Sequence, residues 1–425
     1  MSAFDKVIGY ANEKEEMLML CDVLKNKEKY TKFGIKIPEA VLLYGKPGLG
    51  KTLMAKAFIK ETGRKVFLCQ KDKPNGQFVD KIRATFEDAI KEAPSIIFFD
   101  DMDKFAEDNL QQNCNKEEFV SIQTGLEEID DKDVFVIATA NDIRFLPDSL
   151  LREGRFGKKI EFTPPTFDDS IKIIEYYISD KHISTEVKPI ALAHILRGSS
   201  CAVLESVINQ AGIYAAYDNR TEIQHSNKKK AVSSIIIKQR PLTDTDADTK
   251  LRIAYHEAGH AVLNILTNVK ISCLAIGKCG ENSLGIGICY LSDEEKLPRV
   301  ENSQNHIMTL LAGRASVEIQ FNEIDAGATT DLTRALREAD TLLTLVGAYG
   351  LEYAYTKDEY CYAQSQRQLD IIQDKKNRIV ENFYNSTKAL LVKHKKLLDA
   401  LAAALFEKEL LLYDEIMEIV RKYQY

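Results

Sequence analysis

No run of this 425-residue sequence approaches the roughly 18 consecutive apolar residues needed to cross a bilayer. The first residues, Met1-Ser2-Ala3-Phe4-Asp5, lack the basic and apolar regions of a signal peptide. Cysteines stand at 21, 69, 114, 201, 273, 279, 289 and 361 with no CxxC pair among them, so they read as buried or idle thiols of a reducing compartment. Positive charge is in deficit: the formal net charge of -7 argues against a nucleic-acid-binding surface over the whole molecule. The short run Lys228-Lys229-Lys230 does not change that and reads as a solvated linker. These absences predict a cytoplasmic protein with no nucleic-acid partner and no membrane anchor of its own. What remains, 45% hydrophobic and 28% charged, is an ordinary globular composition, long enough for two or three domains with buried cores.

Histidine is scarce too, with seven in the chain, and two of them fall in Tyr255-His256-Glu257-Ala258-Gly259-His260. On a helix, positions i and i+4 share one face, so both imidazoles can close on one zinc ion while Glu257 is placed to take a proton from the attacking water. Ile253, Ala254, Ala258, Ala261, Val262 and Ile265 give this helix an apolar background in which unligated histidines would be unfavourable. A site of this kind needs one more protein ligand. Glu318, Glu323, Asp325 and Asp331 are available, and spacing alone does not choose among them.

Upstream, the short apolar strand Val41 to Tyr44 runs into Gly45-Lys46-Pro47-Gly48-Leu49-Gly50-Lys51-Thr52, a full GxxxxGK[ST] match, and a helix is expected from near Leu53. Glycines let the backbone wrap phosphate oxygens, Lys51 reaches the β and γ phosphates, and Thr52 ligates magnesium. A second strand, Ser95 to Phe99, ends in Asp100-Asp101-Met102-Asp103, which puts Asp100 in the magnesium role and makes Asp101 the candidate to polarise water. A third strand, Val134 to Ala138, ends near Asn141, able to orient that water. Just beyond it Arg152 and Arg155 are candidates for fingers acting on a neighbouring subunit's nucleotide. Strands alternating with helices predict a doubly wound parallel sheet with its site at the strand ends.

The P-loop, the Asp-ended strand, Asn141 and the Arg152/Arg155 segment resemble the AAA+ module. With the HExxH stretch downstream, the chain resembles the FtsH family of ATP-dependent zinc metalloproteases from about Phe4 to Val420. Gly313-Arg314-Ala315, Gly327-Ala328-Thr329-Thr330-Asp331-Leu332 and Tyr349-Gly350-Leu351 belong to that likeness. It implies an α/β AAA+ P-loop ATPase domain at 1-163, a helical lid at 164-222, a linker at 223-248 and a mainly α-helical zinc metallopeptidase domain at 249-425. Among the four acids it selects Asp331 as third ligand. It adds Ile8, Gly9, Leu53, Gly198 and Ala202 to the nucleotide site, and implies one Zn2+ per subunit, ATP, Mg2+, polypeptide substrates and a homo-hexamer.

Three features depart from the family. Its N-terminal transmembrane segments are missing from this sequence. The acid after Asp100 is usually glutamate and here is Asp101. The segment Gln70 to Phe78 lacks the aromatic-hydrophobic-glycine tripeptide of the central pore, leaving Phe78 as its only ring, with burial in the core expected. The expectation is an ATP-driven zinc endopeptidase acting on unfolded or loosely folded polypeptides. The alternative is a remodelling ATPase whose peptidase fold is only a scaffold.

Overall fold

The computed structural model describes residues 2–71, 75–106, 117–185, 187–237, 242, 245–279, 283–289, 299–324, 326–354 and 366–423. Two units emerge, Met1–Lys181 with Gly198–Ile208, and His182–Arg197 with Asn209–Tyr425.

The first unit is built on five parallel strands, β1 (Ala40–Tyr44), β2 (Lys65–Cys69), β3 (Ser95–Phe99), β4 (Val134–Ala140) and β5 (Lys158–Glu161), in the order β2-β3-β4-β1-β5. The near-continuous apolar runs of β1, β3 and β4 have a physical cause, since a parallel strand with helices on both faces buries both sets of side chains. Alternation sorts them. Val41, Leu43, Ile96, Phe98, Phe135 and Ile137 pack with Met54 and Phe58 on one face, while Leu42, Ile97, Phe99, Val136 and Ala138 pack with Ile82, Phe86 and Leu126 on the other. The carboxyl ends of β1, β3 and β4 therefore bring Gly45, Asp100 and Asn141 to one edge. Residues 72–74 of the unusual Gln70–Phe78 segment lie outside the described residues. Phe78 itself is fully buried, edge-on to Phe105 at 4.8 Å between ring centroids.

In the second unit, the helix Ala247–Leu266 packs against Val300–Phe321 and Lys395–Lys408, with Thr329–Thr344 and Gln366–Lys393 beyond. Asp246 caps the first of these, its carboxylate accepting from the Thr249 N–H at 2.9 Å. Two strands form an antiparallel pair, β6 (Ile271–Cys279) and β7 (Ser283–Cys289), and a third strand, β8 (Leu410–Leu412), adds to the other edge of β6. The apolar stripe Ile372, Ile379, Val380, Leu391, Leu397 and Leu398 is core.

Two boundaries differ from expectation. Of the 164-222 segment, the helix Phe167–Ile178 and residues Gly198–Ile208 group with the first unit and His182–Arg197 with the second. Within 223-248, His225–Val232 is helical, and the lysine run is solvated only at Lys230, which is exposed: Lys228 is 1% exposed and pairs with Asp414 at 3.2 Å, and Lys229 pairs with Glu415 at 3.2 Å. Lysine stems bury readily when the ammonium meets an anion at the end of the apolar path. No described helix is long and apolar enough to cross a membrane.

Candidate active sites

The glycines of Gly45–Thr52 adopt backbone conformations that other residues rarely take, with φ of 141° at Gly45, 79° at Gly48 and 91° at Gly50. A Cβ on Gly45 would collide with the Phe162 carbonyl, and one on Gly48 would lie 2.9 Å from the Ala202 Cβ. The helix Lys51–Thr62 starts two residues earlier than expected, directly at the lysine. Lys51 is buried, which lowers its pKa against the pull of Asp101, Asp103 and Asp100. Its ammonium donates to the carbonyls of Gly45 (2.6 Å) and Lys46 (2.9 Å) and to Asn141 Oδ1 (2.9 Å).

Asp100 is held from three sides. Its Oδ1 accepts from the hydroxyls of Thr52 (3.0 Å) and Thr139 (2.8 Å), and its Oδ2 from the Gln70 amide (3.1 Å). Asn141 Nδ2 reaches Asp101 Oδ1 at 3.4 Å, and the Asn141 N–H donates to Asp103 at 2.9 Å. The N-terminal segment joins through Tyr10, whose hydroxyl donates to the Thr163 carbonyl at 3.0 Å and lies 3.6 Å from Cys201 Sγ. Ile8 and Gly9 precede it. Ala202 donates its N–H to the Gly48 carbonyl at 3.0 Å, and Gly198 stands at the turn before it with φ of 70°. Leu53, one residue past the loop, is exposed on the first turn of the helix.

In the second unit, His256 and His260 lie one turn apart on one helix face, with Asp331 opposite on the first turn of the helix Thr329–Thr344. Asp331 Oδ2 is 3.3 Å from each Nε2, and the two Nε2 atoms are 3.1 Å apart. His260 Nδ1 donates to the Thr309 carbonyl at 2.7 Å, which fixes the tautomer and leaves Nε2 as a lone-pair donor. Burial would raise the Asp331 carboxyl, but the two imidazoles beside it outweigh burial and hold it well below the usual carboxylate range. Glu257 is 7% exposed, and burial raises its pKa against the opposing histidines. The donor set of two imidazoles and one carboxylate suits zinc. Space for an ion is kept by Gly313, where a Cβ would stand 2.6 Å from both Nε2 atoms.

Two family models match. "ATPase family associated with various cellular activities" covers residues 41–164, and "Peptidase family M41" covers 244–419. The ATP-dependent zinc metalloprotease FtsH 2 of Thermoanaerobacter sp. (strain X514) is 31% identical over 427 residues, spanning 97% of this chain and 82% of that protein. The chain belongs to the FtsH family of ATP-dependent zinc metalloproteases. Other relatives are FtsH 4 of Synechocystis sp., 29% identical over 99% of this chain and 72% of its own length, and FtsH of Aster yellows witches'-broom phytoplasma, 32% identical over 98% and 64%.

Among the described residues, Asp331 is the one of the four acids left open by spacing that this FtsH-family chain brings to the histidines. Glu318 instead meets Tyr384 and Lys388, and Glu323 pairs with Arg252 at 2.9 Å. Asp325 lies outside the described residues. His306 pairs with Glu338 at 2.6 Å, as a structural histidine does. Arg152 is exposed, whereas Arg155 is partly engaged within its own chain by the Ser149 carbonyl and by Glu127 at 2.7 Å. Sequence reasoning missed Thr139, Gln70 and Thr309, which orient the named residues. It quoted Gly313 without a role, although a glycine inside a helical pattern is a signal of close approach.

Proposed function

We propose that the chain is a zinc endopeptidase driven by ATP hydrolysis, and the observation that carries this is the convergence of His256, His260 and Asp331 beside the buried Glu257. Held by those three ligands, Zn2+ would polarise the scissile carbonyl and acidify the attacking water. Glu257, on the turn between the two histidines, takes the proton from that water and delivers it to the leaving amine. Thr309 keeps the His260 ring in register.

In the ATPase unit, Gly45, Lys46, Pro47, Gly48, Leu49, Gly50 and Leu53 would hold the nucleotide, together with Ile8, Gly9, Gly198 and Ala202. Lys51 would neutralise the phosphates, Thr52 and Asp100 would hold Mg2+, and Asp101 and Asn141 would orient water. Arg152 and Arg155 act on the adjacent subunit's nucleotide in a homo-hexamer. Arg155 must first exchange its Glu127 partner, an exposed pair whose loss costs little. The buried, unbridged thiols of Cys21 and Cys273 suit a reducing, cytoplasmic setting.

The substrates are unfolded or loosely folded polypeptides. An aromatic pore ring grips any sequence through apolar contact, and the one aromatic available here, Phe78, is committed to the core. The test is cleavage of an unfolded polypeptide by purified protein with and without ATP, and after zinc chelation. Cleavage stimulated by ATP and abolished by chelation supports the reading. Stoichiometric zinc without any cleavage would leave the scaffold alternative.

A further inference from the structure

Asp101 has a left-handed backbone, φ 54°, which a short polar residue tolerates better than a bulky one. Thr139, buried near the carboxyl end of the central strand β4, sets this turn: its hydroxyl accepts from the Asp101 N–H at 2.9 Å while donating to Asp100 at 2.8 Å. The chain then enters the single turn Met102–Ala106, where the Lys104 N–H donates to the Asp101 carbonyl at 3.0 Å. That closure brings Lys104 Nζ to 2.7 Å from Asp101 Oδ2, with Oδ1 facing the Asn141 amide at 3.4 Å. Both oxygens of the acid assigned to the attacking water are thus engaged by the chain itself.

We propose that Lys104 is a positioning residue for ATP hydrolysis that restrains the Asp101 carboxylate and keeps basal turnover low. This rests on the reading of Asp101 as the water-orienting acid. A carboxylate offers about four acceptor positions, so water still finds one, but only in the orientation the lysine allows. Lys104 and Asp101 are 52% and 35% exposed at the side chain, the class of surface pair whose strength amounts to no more than about a factor of five. The lysine therefore slows the reaction without blocking it.

The experiment compares steady-state ATP hydrolysis by the full chain and its variants. Lys104→Met is expected to raise kcat about two- to fivefold with KM for ATP unchanged. Lys104→Arg, which keeps the charge, should show less than half that gain. A merely structural role for the turn would lower kcat or move KM with it, and either result overturns the proposal, as does an unchanged kcat. Lys51→Ala separates the two levels of the argument. If it abolishes hydrolysis while Lys104→Met is neutral, only the role of Lys104 fails; if it hydrolyses normally, the reading of the nucleotide site fails and takes this proposal with it.

Discussion

Gly313 carries no functional group, yet the peptidase site depends on it. Its helix passes so close to Ala247–Leu266 that a methyl at 313 would stand 2.5 Å from His256 Cε1 and 2.6 Å from both Nε2 atoms. The crossing is tight because Gly259 faces it in turn, with the Ala312 carbonyl 2.5 Å from where a Cβ would be. Gly313→Ala must push the rings apart, and displacement of about 1 Å from a working geometry is enough to reduce rate on the order of 100-fold. The expected result is weakened zinc retention and peptide cleavage at about 1% of wild type with ATP hydrolysis intact. Zinc content and the two activities measured on one preparation check it, and full cleavage by this variant would show that the helices part without harm. The same logic makes Asp331→Ala a metal-loss variant on the proposed reading, in which its carboxylate is the third donor and not the base.

Two elements show where a sequence pattern speaks and where it is silent. Strand β3 was legible to the residue and the cores of β1 and β4 were clear, because parallel strands covered on both faces are continuous apolar runs bounded by turn or acidic residues. The His256 helix was legible through spacing alone. Strand β8 was not, since Leu410–Leu412 is three leucines in a leucine-rich helical region and no period distinguishes them. Nor was the fate of Lys228, whose partner Asp414 is 186 residues away. Burial lowers the Lys228 pKa and Asp414 opposes that shift. Asp414→Ala leaves the buried ammonium uncompensated and should destabilise the second unit by about 3 kcal/mol, with Lys228→Met/Asp414→Leu recovering most of it. Chemical denaturation of these two variants and wild type tests this, and a double variant no more stable than Asp414→Ala would mean the pair is incidental. Phe78 illustrates the reverse case, an aromatic expected in the core and found there against Phe105. Phe78→Ala should cost about 3–5 kcal/mol in the ATPase unit, a stability loss visible in denaturation. A variant of wild-type stability that has lost only substrate handling would identify it as a gripping residue instead.

At the scale of the whole molecule, a nucleotide site at the strand ends of one unit and a two-histidine, one-carboxylate site in the other define a protease whose energy input and bond cleavage are separable. Without an exposed aromatic at Phe78, the account expects stable domains to stall while unfolded chains are cut, and rapid ATP-dependent degradation of a tightly folded reporter would contradict it. The most direct measurement concerns Glu257, which touches the chemistry but is not in the ligand set. In Glu257→Gln, zinc per chain and ATP hydrolysis should equal those of wild type while cleavage of an unfolded polypeptide falls below a few percent, since only the proton acceptor is lost. Cleavage at the wild-type rate with zinc still bound would show that Glu257 is not the base, and the assignment of this site would have to be abandoned.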